Sequence, residues 1–188
     1  MNFFQAIILG IVQALTEYLP VSSSAHIRII GDLMLGADPG AAFTAIIQIG
    51  TELAVILYFR RDIINILSHW FGCLFGKNGP DWRARMGRGD KYATLGWNVI
   101  IGSIPIIILG FTLQNIIETS LRNLWITVTV LFLFGLLLWI VDARSRQIKT
   151  MDDMNYRDAF LFGLGQSMAL IPGVSRSGGT ITVGRALG

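Results

Sequence analysis

Three stretches of this chain all but exclude charge. Residues 92–111 and 123–141 hold no Asp, Glu, Lys or Arg, and residues 41–59 hold only Glu52. At about 1.5 Å of rise per residue, each reaches across a hydrocarbon core of about 30 Å as a helix. Trp125 and Trp139 stand near the two ends of the third stretch, where interface anchors belong. The pattern predicts three transmembrane helices. Composition agrees: 53% of the 188 residues are hydrophobic and only 14% charged, against about 25% charged in soluble domains. Mean hydropathy is +0.59. A water-soluble enzyme, a disordered segment and a coiled coil are excluded, and the bilayer is the first partner. Cys73 is the only cysteine, so no intrachain disulfide and no cysteine metal cluster can form.

The charges that exist are gathered. Ten lie in residues 60–91, seven of them basic, and eight more in residues 142–158. Basic loops between apolar spans mark a cytoplasmic face, so the formal charge of +3 is a topology signal and no nucleic-acid partner is expected. With both loops inside, 41–59 runs inward, 92–111 returns and 123–141 runs inward again. The near-neutral residues 112–122 form an outer loop.

Both ends of the chain break this scheme. Residues 3–19 are apolar, but Pro20 stops them before Val21-Ser22-Ser23-Ser24-Ala25-His26, and the apolar run of 27–35 is too short to cross. A secretory signal is excluded because no basic residues precede Phe3. Residues 1–35 therefore read as a re-entrant helical hairpin, which membrane depth tolerates only where protein or a wet cavity buries it. Residues 159–188 repeat the plan. Ala6, Gly10 and Gln13 align with Ala159, Gly163 and Gln166, and Pro172 then leads into Ser175-Arg176-Ser177-Gly178-Gly179-Thr180. Three spans separate the hairpins, so the first enters from outside and the second from the cytoplasm. The expected fold is an all-α polytopic membrane protein: a re-entrant hairpin, three transmembrane helices, then the start of an inverted second repeat. Interrupted helices in inverted repeats place a binding site near the midplane.

Half-helices that begin inside the membrane present unpaired N–H groups and partial positive charge, an anion site. Serine hydroxyls add donors, glycines let an anion approach the backbone, and Arg176 adds a planar fork suited to phosphate oxygens. Its rival role is an ion pair with Glu17 or Glu52. Gln13 and Glu17, four apart, share a helix face. Beside a bound phosphate, Glu17 either shares a divalent cation, Mg²⁺ or Ca²⁺, with Gln13, or stays protonated as an acid. His26 stands within a helical turn of Ser22 and Ser23 and is a candidate base or proton donor. Glu52, with Gln48 four residues before it, reads as structural more than catalytic.

The stretch from Gly10 through Gln13, Glu17, Pro20 and Ser22-Ser23-Ser24 to His26 resembles the first signature of the bacterial undecaprenyl-diphosphatase family, the bacitracin-resistance type. Residues 172–180 resemble its second signature, and residues 43–59 its first full span. The resemblance implies a plasma-membrane hydrolase that removes one phosphate from undecaprenyl diphosphate at the outer face, recycling the carrier lipid for peptidoglycan synthesis with a divalent cation. It gives Glu17 a metal-binding or catalytic role, places Gln13 where many members carry glutamate, makes Ser22, Ser23 and His26 catalytic candidates, and has Arg176, Ser175, Ser177, Gly178 and Thr180 hold the diphosphate. Ala14 and Ala25 replace usual glycines. Gly179 replaces a common alanine, a mild change on sequence grounds.

The rival from another class is a lipid-carrier flippase or small-anion transporter, which needs binding groups but no nucleophile and base. Since Glu17, Ser22, Ser23 and His26 supply those, the hydrolase is favoured. Family members continue with further spans. The chain is therefore expected to be a truncated version of a longer enzyme, weakly active or inactive alone, with too few residues after 180 to finish a second limb. Completion by a homo-oligomer stays open.

Overall fold

Asn2 starts the first helix. Its side chain accepts the N–H of Gln5 at 2.9 Å, while Gln5 Oε1 accepts the N–H of Asn2 at 2.8 Å, a reciprocal cap. Helices α1 (Phe3–Thr16) and α2 (Ser23–Leu35) come next in the computed structural model, which describes residues 1–119 and 124–188. Each is about 20 Å long by rise per residue, short of the hydrocarbon thickness. They pack on one another. Gln5 Nε2, near the start of α1, donates to Met34 O near the end of α2 at 3.2 Å, so the two run antiparallel as a hairpin. Left-handed Gly36 (φ 68) ends α2 with its N–H on Asp32 O.

Helix α3 (Ala41–Tyr58) leads directly into α4 (Arg60–Leu74) through a 73° bend at Phe59. Residues 60–91, expected as a loop, thus hold a long helix and a short one, α5 (Trp82–Arg85). The reason is periodicity inside the charged cluster. Ile63, Ile66, Trp70 and Cys73 turn toward the protein, while Ile64, Leu67 and Phe71 stay exposed. The Trp70 side chain lies over Gly96 of α6 (Lys91–Thr119), with its ring 5.4 Å from that of Trp97.

Helix α6 starts at Asp90. One carboxylate oxygen accepts the N–H groups of Tyr92 and Ala93, both at 3.1 Å, and the other meets His69 Nδ1 of α4 at 2.7 Å. The helix continues through Pro105 to Thr119, so residues 112–119 are helical where a loop was expected; 120–122, and Asn123 at the head of the third expected span, lie outside the described residues. Helix α7 is Leu124–Arg144. Lys91–Leu113 and Leu124–Arg144 are long and apolar enough to cross a membrane, and the bent α3–α4 pair makes a third candidate.

Burial is inverted relative to a soluble domain. Gln13, Ser22, Thr51, Asn98, Thr127, Asp158, Ser167, Ser175 and Thr182 are buried, while Phe3, Ile7, Ile11 and Leu15 of α1, Phe132 and Trp139 of α7 and many like them are exposed. An apolar outside over a polar and small-residue inside suits lipid as the solvent. All regular elements among the described residues are helical, and the chain is an all-α membrane protein.

The second hairpin is α8 (Tyr156–Ser167), a 3-10 turn at Met168–Leu170, and α9 (Arg176–Leu187). Helix α9 has 12 residues within this chain, against 13 in α2. The helix starts at Arg176, before the glycines, because Ser175 Oγ caps it by accepting the Gly178 N–H at 3.2 Å. Glycines set the spacing. A Cβ on Gly163 would strike the Gly102 carbonyl of α6, and one on Gly179 would strike the Gly165 carbonyl of α8. The glycine at 179 is therefore no mild exchange here. The hairpin's ends are tied by Lys149 to buried Asp158 at 3.1 Å, and by Arg185 to Asp142.

Two features of this packing can be tested by substitution. Gly173 has φ 102, and its added Cβ would run into the Thr127 carbonyl of α7. Gly173→Ala is expected to cost about 2 kcal/mol or more, combining left-handed backbone with overpacking, read as a lower unfolding temperature in detergent. Burial pushes the Asp90 carboxyl up, but the hydrogen bonds from His69, Ala93 and Tyr92, with the charge of His69, outweigh it and hold it below the usual carboxylate value. A depressed folded pKa gives stability that is complete above the unfolded value, about 3.9, and is lost as pH falls through the folded one. Asp90→Asn should melt lower than the parent at neutral pH, and the gap should close below about pH 4. A gap that persists into acid would remove the carboxylate from the α4–α6 junction.

Candidate functional site

Pro20 and the serines after it end the first half-helix in a turn with its own chemistry. Gln13, 2% exposed on α1, donates from Nε2 to Glu17 Oε2 at 2.8 Å. The same carboxylate oxygen accepts Ser23 Oγ at 2.5 Å. A carboxylate only accepts, so Ser23 is the donor and its proton already points at a base. The spacing of four between Gln13 and Glu17 thus produces the contact expected of one helix face.

The adjacent serines divide. Ser22 is 2% exposed and has φ 61, among the described residues the only non-glycine with positive φ. Its hydroxyl lies 3.2 Å from that of Ser24, and its carbonyl meets His26 Nδ1 at 3.0 Å. A carbonyl only accepts, so Nδ1 carries the hydrogen and Nε2 is left as the basic nitrogen of the neutral ring. His26 is half-buried. It touches the Ser22 backbone, and Ser23 is bonded to Glu17. Ser22 shapes the turn and Ser23 offers a hydroxyl.

The second turn meets the first. Ser177 Oγ donates to Leu19 O at 2.8 Å and lies 3.5 Å from Glu17 O, while Ser175 Oγ lies 2.8 Å from Ser177 Oγ and 3.5 Å from Leu19 O. A Cβ on Gly178 would touch Pro20. Turns that correspond in the repeat are therefore neighbours in space. Their hydroxyls are committed to this junction. Thr180 Oγ1 turns back to the carbonyls of Arg176 and Ser177, and the Gly178 N–H is held by Ser175. Of the residues expected to hold a diphosphate, Arg176 alone projects, about half exposed, with Nη1 3.2 Å from Glu52 Oε1 of α3.

That ion pair is the rival role the sequence offered for Arg176, with Glu52 and not Glu17 as the partner, and it brings in Tyr18, to which sequence reasoning gave no functional weight. Glu52 stands at the site, beside buried Thr51, whose carbonyl accepts the Tyr18 hydroxyl from the first turn. The signal for Glu52 is one charge in an otherwise apolar span with Gln48 one turn away. Tyr18 carries none.

A divalent cation would need hard oxygen donors. No group of three or more His, Cys, Asp and Glu gathers for a metal among the described residues. Gln13 Oε1, however, is buried with no hydrogen-bond partner, an orphan acceptor beside the Glu17 carboxylate. The chemistry of Glu17, Gln13 Oε1 and Ser23 Oγ fits such an ion.

Known proteins share this chain's sequence along its length. The profile of the family described as bacitracin resistance protein BacA matches residues 6–188. A protein named undecaprenyl-diphosphatase from Bifidobacterium longum subsp. infantis is 89% identical over 188 residues, all of this chain and 64% of that protein. The protein of the same name from Bifidobacterium adolescentis is 72% identical over the same shares. That from Paenarthrobacter aurescens is 53% identical over 192 residues, covering 65% of its length. The chain thus spans just under two thirds of the curated relatives it matches.

The backbone at Ser22 gives a direct test of its assignment as a turn residue. Ser22→Gly should leave the unfolding temperature unchanged or raise it, since glycine takes positive φ without a Cβ penalty of about 1 kcal/mol. Ser22→Val should lower it. If glycine destabilises as much as valine, the hydroxyl and not the backbone is what position 22 supplies.

Proposed function

The chain belongs to the bacitracin resistance protein BacA family, and from that membership, together with the two turns meeting at Glu17 and Arg176, we propose that it carries the catalytic turns of an undecaprenyl-diphosphate phosphatase. The reaction cleaves the P–O–P bridge of a polyprenyl diphosphate. It yields the lipid monophosphate and orthophosphate, recycling a cell-wall lipid carrier and conferring bacitracin resistance. The observation that carries the reading is the Ser23 hydroxyl held 2.5 Å from Glu17, in a turn fastened to the one that bears Arg176. A flippase or anion transporter needs no such pair, and nothing in the geometry favours it.

In this reading Arg176 takes the phosphate oxygens with its planar fork, exchanging Glu52 for substrate. Glu17 receives a proton as an oxygen attacks the terminal phosphorus and the P–O bond to the lipid phosphate breaks: attack by water gives orthophosphate directly, whereas attack by Ser23 gives a phosphoserine that a water then hydrolyses. His26, its Nδ1–H held by the Ser22 carbonyl, takes up a proton at Nε2 and passes it to the oxygen of the leaving lipid phosphate. A divalent cation, when bound by Glu17 and Gln13, supplies positive charge to the phosphate oxygens. The site opens to the outer side of the plasma membrane, with residues 60–91 and 142–158 in the cytoplasm.

Phosphate release from a polyprenyl diphosphate in detergent, with and without chelator, tests this on the chain and on a version extended to the relatives' length. Arg176→Ala should lose about a hundredfold or more, and Arg176→Lys should not restore it. Glu17→Gln should abolish the response to added Mg²⁺ or Ca²⁺, and Ser23→Ala should cost more than Ser22→Ala. Full activity in Arg176→Ala or in His26→Ala would overturn the corresponding role.

A further inference from the structure

A cavity of about 320 Å³ adjoins the two turns. Its polar lining is Ser24 and Arg28 of α2, Asp38 just after α2, Thr44 and Gln48 of α3 and Thr127 of α7, and Leu170 and Pro172 wall the side next to the second turn. Ser24 connects it to the reactive turn, since its hydroxyl lies 3.2 Å from that of Ser22. Ser24 and Arg28 stand four apart, so they share one face of α2. Arg28 lies two residues beyond His26, farther along the helix from the turn and toward the open end of the hairpin.

The state of Arg28 is informative. Nη1 is paired with Asp38, whose other carboxylate oxygen accepts the Gly40 N–H at 3.0 Å. The Nε–H is buried with no acceptor. A guanidinium presents five donors in a plane, and its Nε edge is the one that forks onto oxyanions. A buried cationic N–H without an acceptor is a rare state in a folded protein. Here it belongs to a residue lining a cavity large enough for a tetrahedral oxyanion, with the Gln48 amide as a further donor. The apolar walls lower the local dielectric, which strengthens a charge-assisted bond once formed. Asp38 leaves the pair close to neutral, so an anion held there is held weakly and can leave.

We infer that this cavity is a second phosphate-oxyanion site, in which Arg28 receives a phosphate group one step outward from the turn that carries Arg176. Two sources share that chemistry: orthophosphate released at the turn, and the phosphate head of a lipid. The site depends on the proposed hydrolase reading only for the first source. Binding itself is independent of turnover.

The test is equilibrium binding of radiolabelled inorganic phosphate to the purified protein in detergent, alongside initial-rate inhibition by added phosphate. The parent should bind two phosphates per chain. Arg28→Gln should lose one of them and weaken inhibition by phosphate about tenfold. Arg176→Ala should lose the other and leave the Arg28 site filled. Arg28→Gln combined with Asp38→Asn, which removes both charges together, serves if the single variant unfolds, and should bind one phosphate. A short-chain prenyl monophosphate separates the sources. If it displaces phosphate from the Arg176→Ala protein, the site takes lipid heads as well as orthophosphate; if not, it takes orthophosphate alone. Unchanged stoichiometry in both Arg28 variants overturns the inference. Binding of two phosphates without hydrolysis, in the version extended to the relatives' length as well as in this chain, would overturn the hydrolase reading and leave this one standing.

Discussion

Backbone polar groups that leave a helix inside a membrane must find partners there, because lipid offers none. Both hairpins break between half-length helices, and the two breaks lie against each other, partly satisfied across the junction and partly by their own serines. The Leu19 carbonyl, left over where α1 ends, accepts Ser177 from the second turn, and Ser175 holds the Gly178 N–H at the start of α9. The surrounding helices are recruited to the same place. Helix α3 is tied by Tyr18 on the Thr51 carbonyl and by Glu52 on Arg176, and α7 comes close enough to Gly173 to exclude any side chain there. A site at this junction is therefore preorganised by the need to satisfy backbone, before any substrate contact is considered.

The hairpins were legible because proline and serine interrupt apolar runs too short to cross, and the pairing of Gln13 with Glu17 was legible because helical spacing is rigid. Other features depend on information that spacing does not carry. A run such as Ser175-Arg176-Ser177-Gly178-Gly179-Thr180 looks like loop by residue type, yet it opens α9, and Gly179 is demanded by the approach of α8. The charges of residues 60–91 masked α4, since counting charge ignores which face bears it. Whether Ser22 or Ser23 offers its hydroxyl turns on one backbone angle at Ser22, which no composition or periodicity encodes. Ser175, Ser177 and Thr180 are hydroxyl residues of the right kind for phosphate, but their hydrogen bonds are committed to the protein.

Glu52 illustrates a different limit. A lone carboxylate in an apolar span must have a reason, and structural pairing and catalysis predict the same residue at the same place. The geometry gives both descriptions a common content. Arg176 and Glu52 are each about half exposed, so protein does not enclose the pair, and water admitted to the site weakens it. A weak partner keeps the guanidinium oriented while leaving it free to exchange, which a buried pair would resist.

The same reasoning separates the two cations near the turns. Arg176 sits at the start of α9, where the helix N-terminus adds positive potential, and its counter-charge is the exposed Glu52. Arg28 lies in the body of α2, with its charge offset by Asp38. On the proposed reading, an anion meets less offset positive charge at the turn than in the cavity beside it, a gradient that favours binding at the turn and release away from it. It arises from where each arginine falls on its half-helix, which is set in turn by where the two apolar runs are broken.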